Sequence, residues 1–297
     1  MADQPGIISL AQWLHTPAGA HLLAWEQQQL DAAVVDLFGF HALQLGMPAL
    51  QGLRDNRMPH RWLAVDELDA QLVHALPAGQ TSAATSSPLL QSLNHPRTVE
   101  PWSQSQGHLE TPSLVCDFDA LPLDAQSLDL VLLPHALELA EDPHRALGEV
   151  DRVLRPEGHV VILGFNPASL WGMRQRLGHV RRSVGLGKNK PLFMPRAGEF
   201  IGYRRLRDWL RLLSFDVVSA RFGCYRPPLS SPLWLERCAW MERVGERWWP
   251  VFGSVYMVVA VKRVRGMRLV GLSPQAKTRK KMAPAVVAHN RKEVNNT

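Results

Sequence analysis

The sequence lacks the features that mark secreted, membrane-spanning or metal-dependent proteins. Three cysteines in 297 residues are odd in number and do not have zinc-ligand spacing, so we expect Cys116, Cys224 and Cys238 to be buried, reduced thiols and expect no metal centre. No uncharged apolar run reaches the ~18 residues that a spanning helix needs. The N-terminal residues lack the basic and apolar regions of a secretory signal. These absences predict a cytoplasmic protein without an integral membrane segment.

Charge is distributed unevenly along the chain. Residues 1–170 contain 7 Lys and Arg against 20 Asp and Glu, whereas residues 171–211 contain 11 against 2 and residues 262–297 contain 10 against 1. Two basic blocks favour an anionic partner such as RNA. A solvated surface and a disordered tail explain the same pattern equally well.

Apolar runs alternating with a helical pattern predict an open parallel sheet. Residues 113–116, 128–134 and 159–165 are typical of buried strands. Between the last two, Asp142 as N-cap and Pro143 at the first helical position begin an amphipathic helix. A strand, a helix and a strand at this spacing form a βαβ crossover. Ligands bind such sheets outside the carboxyl ends of the strands.

Weaker patterns on either side complete an α/β domain. Apolar residues over 8–38 predict helices interrupted at Thr16-Pro17, and residues 203–213 predict another helix. Further strands are expected at 41–45, 61–65, 215–222 and 254–261. With the three above, they make a seven-stranded sheet.

Two motifs in the central stretch resemble a known family. They are D-F-D-A-L-P-L-D-A-Q-S-L-D-L-V-L-L at 117–133 and D-P-H-R-A-L-G-E-V-D-R-V-L-R-P-E-G-H-V-V-I at 142–162. They are similar to the second half of the class I S-adenosylmethionine (SAM) dependent methyltransferases of the type 11 group. That group reads D-x-x-x-L-P-F, then S-F-D-L-V, then L-x-E-x-x-R-V-L-x-P-G-G. P-H-A-L-E and G-F-N-P-x-S-L-W-G add a resemblance to bacterial YafS-like methyltransferases.

The resemblance implies a fold, a cofactor and a domain division. The fold would be a Rossmann-like, mostly parallel sheet of seven strands with an N-terminal helical segment, and the cofactor would be SAM. Residues 1–38 would form a helical lid, or else a helix that packs on the core, and residues 39–262 would form the methyltransferase domain. That domain would include a basic insertion at 171–211 and a tryptophan-rich segment at 227–252. Residues 263–297 would be a disordered basic tail.

The resemblance also implies that the turn after the first strand binds SAM. Gly46 stands where the family's G-x-G-x-G turn begins, at which a side chain would collide with the cofactor. Met47, Pro48 and Ala49 depart from that pattern, because Pro48 fixes φ and removes an amide donor.

Other cofactor residues follow the next strands. Asp66, 20 residues after Gly46, suits a carboxylate that binds ribose hydroxyls, or else a solvated residue at a helix start. Asp117 and Phe118 match the adenine position of the family. Pro134 and His135 end a strand beside the expected methyl group, where His135 would be the catalytic residue. A hydrogen-bonded histidine at a strand end is the alternative.

Three hypotheses about function remain open on the sequence. The first two are transfer of a methyl group to a small or lipid-like molecule, favoured by the tryptophan-rich segment, and transfer to RNA, favoured by the basic blocks. The tryptophan-rich segment would pack on the sheet, cap an apolar pocket or rest on a membrane surface. The third is an inactive, methyltransferase-like binding module that acts through its basic segments. The sequence indicates no oligomeric state.

Overall fold

Seven strands form one sheet in the part of the chain that the computed structural model describes, residues 10–66, 113–183, 193–194, 200–229 and 232–263. Their order is β3-β2-β1-β4-β5-β7-β6, and β7 runs antiparallel to both of its neighbours while the other pairs are parallel. This confirms the predicted seven-stranded, mostly parallel α/β fold. The strands are β1 (His41–Leu45), β2 (His60–Val65), β3 (Leu114–Val115), β4 (Leu128–Pro134), β5 (Leu154–Phe165), β6 (Phe215–Gly223) and β7 (Val255–Lys262).

Eight α-helices accompany the strands within the described ranges. Asp142 caps one of them as predicted, since its carboxylate accepts from the backbone amides of His144 (2.9 Å) and Arg145 (3.3 Å). Thr16 caps another by accepting from Gly19 N at 3.1 Å. The helices are α1 (Leu10–Leu14), α2 (Pro17–Val34), α3 (Ala136–Leu139), α4 (Pro143–Val153), α5 (Leu170–Ser183), α6 (Tyr203–Leu212), α7 (Pro232–Arg237) and α8 (Trp240–Trp248).

The sheet has an apolar core on each face. Along β4, Val131 and Leu133 belong to one core cluster and Leu130 and Leu132 to the other. Helices α4 and α6 pack into the first cluster, whereas α1, α2 and α5 pack into the second. Because both faces are covered, β4 reads as an unbroken apolar run in the sequence.

Two elements differ from the sequence-based expectation. Strand β5 begins at Leu154, which pairs with Leu128, and the expected turn at 155–158 lies inside it as an irregularity with Glu157 at φ 64°. Helix α5 occupies the start of the segment that we expected to be a basic insertion, 171–211, and for which we predicted no helix before residue 203. Gly172 fits there because a Cβ on it would lie 2.6 Å from the Pro167 carbonyl oxygen. Close approach of the backbone, not flexibility, explains this glycine.

An aromatic cluster joins the N-terminal helices to the end of β5. The Trp13 ring meets the rings of Phe165 and Trp171 edge-on, each at 5.8 Å between centroids. The indole N–H of Trp13 donates to the Phe193 carbonyl, and that of Trp171 donates to the Arg226 carbonyl, each at 2.7 Å. Buried tryptophans with satisfied N–H groups contribute large apolar area without a desolvation penalty.

Several predictions concern residues at the surface or outside the described ranges. Cys224 is buried, but Cys116 beside the short edge strand β3 and Cys238 after the short helix α7 are partly exposed, so the expectation of three buried thiols was wrong for two. No helix in the described ranges is long and apolar enough to cross a membrane. The predicted tail from residue 264 and the basic residues of 184–192 and 195–199 lie outside those ranges.

Replacing Trp171 with alanine should lower the free energy of unfolding by about 3–5 kcal/mol, because the side chain is fully buried. Urea unfolding followed by circular dichroism measures this. Trp248→Ala is the matched control, since Trp248 is 70% exposed, and it should change stability by less than about 0.5 kcal/mol. Equal effects of the two substitutions would contradict the packing described above.

Candidate functional site

The carboxyl ends of four parallel strands meet at one edge of the sheet. Gly46 N donates to Ala64 O at 2.7 Å, which fixes the turn after β1 beside the end of β2. Cys116 N donates to Val65 O at 3.0 Å and fixes the start of the loop after β3 in the same way. The predicted residues Gly46, Asp66, Asp117 and His135 therefore all follow strands that end at this edge.

Gly46 lies in close contact with two other loops. Its φ is 77°, and a Cβ built on it would lie 3.4 Å from Phe118 Cζ and 4.0 Å from Ala136 Cβ. A side chain at this position would be strained by the backbone and would fill the space towards the Phe118 ring. The structure thus brings the turn after β1, the loop after β3 and the start of α3 together.

The other predicted cofactor residues differ in exposure. Asp117 is exposed and Asp66 is partly buried. Phe118 is buried in the core cluster that contains Val131 and Leu133 of β4. Pro134 is buried within the sheet, where it pairs with Leu163 of β5. The assignments of Gly46, Asp66, Asp117, Phe118 and Pro134 to cofactor binding stay predictions.

A buried glutamine on β1 organises the turn that follows. The Gln44 side-chain amide donates to the carbonyl oxygens of Gly46 (3.2 Å), Met47 (3.2 Å) and Leu50 (2.7 Å). Its carbonyl accepts from Gly52 N at 3.0 Å, and a Cβ on Gly52 would lie 2.9 Å from that oxygen. The absence of a side chain at Gly52 therefore makes room for Gln44.

Our sequence analysis missed Gln44. The signal was present, because Gln44 is the only amide in the apolar strand HALQL, and a buried polar side chain requires hydrogen-bond partners. It holds the turn, in which Met47 has a φ of 50°.

A buried charge cluster joins helix α2 to the end of β4. His135 Nε2 lies 2.7 Å from Glu26 Oε1, and His135 Nδ1 lies 2.9 Å from Glu138 Oε2. The second oxygen of Glu138 accepts from Phe165 N at 2.7 Å, which adds the end of β5 to the cluster. All three side chains are almost completely buried. In the described ranges, no group of three such side chains is arranged to hold a metal ion.

The two carboxylates stabilise the protonated form of His135. Burial by itself disfavours the imidazolium, but the charge of Glu26 and the hydrogen bonds to Glu138 and Glu26 outweigh it and raise the pKa of His135 to about 10. Burial also raises the pKa of Glu138, against the opposing hydrogen bond from His135. At neutral pH, the cluster holds a proton on His135 tightly.

This arrangement bears on the catalytic hypothesis for His135. A general base must accept a proton, whereas His135 here is protonated, fully buried and hydrogen-bonded at both ring nitrogens. Direct contact with an acceptor would require α2 to move. The catalytic assignment stays a prediction, and the geometry favours the hydrogen-bonded alternative.

A cavity of about 690 Å³ opens between α2, β6 and α8. One wall carries Glu242, whose carboxylate lies 2.9 Å from His21 Nε2 and accepts from Tyr225 N at 3.2 Å. The parallel strands and β6 end at the same edge, because β7 pairs antiparallel with both β5 and β6. The lining of the cavity includes His21, Trp25, Gln28, Phe222, Tyr225, Glu242 and Glu246.

Comparison with known proteins agrees with this architecture. Residues 76–162 match the family model of the type 11 methyltransferase domain. The matched residues make up less than a third of the chain, so the match shows a resemblance to methyltransferase domains over that stretch. A solved structure described as a SAM-dependent methyltransferase, possible histamine N-methyltransferase, from Thermotoga maritima superposes with a TM-score of 0.51 at 15% identity. That superposition covers 85% of this chain and 94% of the other, and it shows the fold alone.

Curated relatives are similar to parts of this chain. The uncharacterized protein YafS of Escherichia coli K12 is 39% identical over 100 residues, which cover 34% of this chain and 38% of YafS. A malonyl-[acyl-carrier protein] O-methyltransferase of Halorhodospira halophila is 40% identical over 83 residues, or 28% of this chain and 26% of that enzyme. The matches thus span well under half the length of these relatives.

Because Glu26, His135 and Glu138 form a buried charge cluster, we expect the free energy of unfolding to depend on pH. The folded-state pKa of His135 lies above the usual histidine value of about 6.5, so its stabilisation is complete below that pH. It is lost as the pH rises towards about 10. The unfolding free energy of the wild type should therefore fall over this interval relative to His135→Gln, as measured by urea unfolding at several pH values.

The matched control is His179→Gln, at an exposed histidine on α5, which should keep the wild-type profile. Glu26→Gln should weaken the pH dependence, because it removes the leading favourable charge. A wild-type profile that parallels His135→Gln would contradict the assignment of a tightly held proton.

Proposed function

We propose that this protein transfers a methyl group from SAM to a small-molecule acceptor. The observation that carries the proposal is the meeting of Gly46, at positive φ, with Phe118 at the carboxyl edge of a class I methyltransferase sheet. Binding at this edge is the general rule for open parallel sheets.

The residues at the edge fit SAM in place and in chemistry. Gly46 offers a backbone without a side chain, and Phe118 offers an apolar ring beside it. Asp66 would accept hydrogen bonds from ribose hydroxyls and Asp117 from the adenine amino group, since both carboxylates follow strands at this edge. Bound SAM supplies a methyl group on a sulfonium centre. The chain's own contribution is alignment and exclusion of water.

Helix α2 suits the water-excluding role. Glu26 on its buried face is held by His135, and Leu22, Leu30 and Val34 on the same helix are completely buried. His135 thereby acts as a positioning residue for the lid that our sequence analysis placed in residues 1–38. This role requires no proton transfer to the acceptor.

The cavity between α2, β6 and α8 supports a small molecule as the acceptor. Its volume of about 690 Å³ is in the usual range for small-molecule sites. It combines aromatic side chains, Trp25 and Tyr225, with the carboxylate of Glu242. An RNA acceptor would instead need a basic groove with aromatic rings for base stacking, and two acidic side chains line this cavity.

A second candidate is a binding module that no longer uses SAM. Met47 at φ 50° and Pro48, which has no amide donor, occupy the turn that the family forms with glycines. Buried Met47 is held in the left-handed region by its surroundings, so the turn has a fixed shape that either fits SAM or rejects it.

Calorimetric titration with SAM and with its demethylated product tests the proposal. We expect binding that Asp117→Ala weakens about tenfold, the effect of losing one charge-assisted hydrogen bond. Asp124→Ala is the matched control, because Asp124 is exposed before β4, at the opposite edge of the sheet, and should leave affinity unchanged.

A flat titration of folded wild-type protein would overturn the methyltransferase proposal and favour the binding module. Equal losses in Asp117→Ala and Asp124→Ala would contradict the assignment of Asp117 to the adenine site.

A further inference from the structure

Helix α5 presents an apolar stripe to solvent. Leu170, Met173, Leu177 and Val180 are between 43% and 62% exposed. At about 100° per residue, all four fall within about 80° of the helix circumference. The opposite side of the helix, with Trp171 and Gln175, is buried against the sheet. A regular stripe of this kind is the pattern of a helix that buries its outer face against something else.

Arginines flank this stripe. By helical spacing, Arg176 lies on one side of the stripe, and Arg174 and Arg181 lie on the other. All three are exposed, and α5 contains no acidic residue. Arg174 is also held over the Phe193 ring at 4.7 Å and donates to the Pro228 carbonyl. The face that α5 turns outward is therefore apolar along its centre and cationic along its margins.

A tryptophan-rich surface continues the stripe. A groove of about 420 Å³ runs between the start of α5 and helix α8, lined almost entirely by apolar groups. Leu170 and Met173 form one side, and Trp240, Trp249 and Phe252 form the other. These three aromatic side chains are more than half exposed. The stripe and the groove thus make one continuous apolar surface.

We propose that this surface, the α5 stripe with the groove to α8, docks onto the surface of an anionic phospholipid bilayer. An amphipathic helix that lies in a membrane interface has an apolar stripe bordered by Arg or Lys. Tryptophan prefers the headgroup level, where its ring is buried and its N–H remains hydrated. The helix would lie in the plane of the interface and would not span it.

Charge selects this occupant over a second copy of the chain. Two copies that met through this surface would bring together two sets of Arg174, Arg176 and Arg181 with no acidic residue on α5 to compensate. Anionic headgroups compensate all of them at once, because basic residues near such a surface are attracted to it. The proposal stands independently of the proposed methyl transfer.

Sedimentation with lipid vesicles tests docking on the full-length protein. We expect binding to phosphatidylcholine vesicles that contain about 30% phosphatidylglycerol, and much weaker binding to pure phosphatidylcholine or at high salt. A Met173→Glu/Leu177→Glu variant should lose about tenfold or more in partitioning. A blue shift of tryptophan fluorescence on addition of anionic vesicles should accompany binding of the wild type.

Leu212→Glu is the matched control, because Leu212 is 82% exposed at the end of α6, on the opposite face of the sheet, and should bind as the wild type does. Circular dichroism checks that both variants fold. Absence of binding, equal binding to neutral and anionic vesicles, or equal losses in both variants would overturn the proposal. Self-association without vesicle binding, abolished in Met173→Glu/Leu177→Glu, would overturn it in favour of a second copy. SAM titration without vesicles is a separate readout, so either proposal can fail alone.

Discussion

The ionic contact between Glu26 and His135 fixes the position of helix α2 against the end of β4. The apolar residues of α2 bury surface but would allow the helix to slide along the sheet. The 2.7 Å contact between the charged groups of Glu26 and His135 fixes a single position of the helix. The price of burying two carboxylates is reduced because they share one imidazolium and because Glu138 also accepts from Phe165 N. Removing His135 would leave two buried carboxylates without a positive partner, whereas removing either glutamate would leave one carboxylate beside the imidazolium. Helix α2, β4 and β5 are consequently coupled through one imidazole ring.

The non-glycine residues with positive φ at this edge are more deeply buried than those elsewhere in the described ranges. Several non-glycine residues in the described ranges have positive φ, and some of them, such as Gln126 and Glu157, are exposed turn residues. Met47, His135 and Cys224 are instead buried, and each follows a strand that ends at the carboxyl edge. Positive φ costs more where a side chain must also pack, so the surrounding structure holds these conformations. Packing therefore fixes the backbone at these three positions of the edge.

Local sequence patterns were sufficient to predict the strands of the sheet. They were insufficient to predict side-chain contacts between residues that are distant in the sequence. Buried parallel strands read as apolar runs, and Asp142-Pro143 marks a helix start, because these signals depend on neighbours in sequence. Glu26 and His135 are 109 residues apart, and an isolated Glu on an amphipathic helix reads as solvated. Helix α5 escaped notice for a related reason. Its glycines indicate a break until the Pro167 backbone, which fills the space beside Gly172, is seen.

Tyr225 connects the two surfaces to which we assign ligands, since its side chain lines both the cavity beside α2 and the apolar groove beside α5. The ring packs directly on Gly245, where a Cβ would lie 2.3 Å from it, and its hydroxyl donates to the Pro250 carbonyl at 2.8 Å. The Tyr225 ring, held by Gly245 and by the Pro250 carbonyl, therefore separates the polar cavity from the apolar groove. An acceptor with a polar head and an apolar tail matches that division, because each part would meet its own kind of surface.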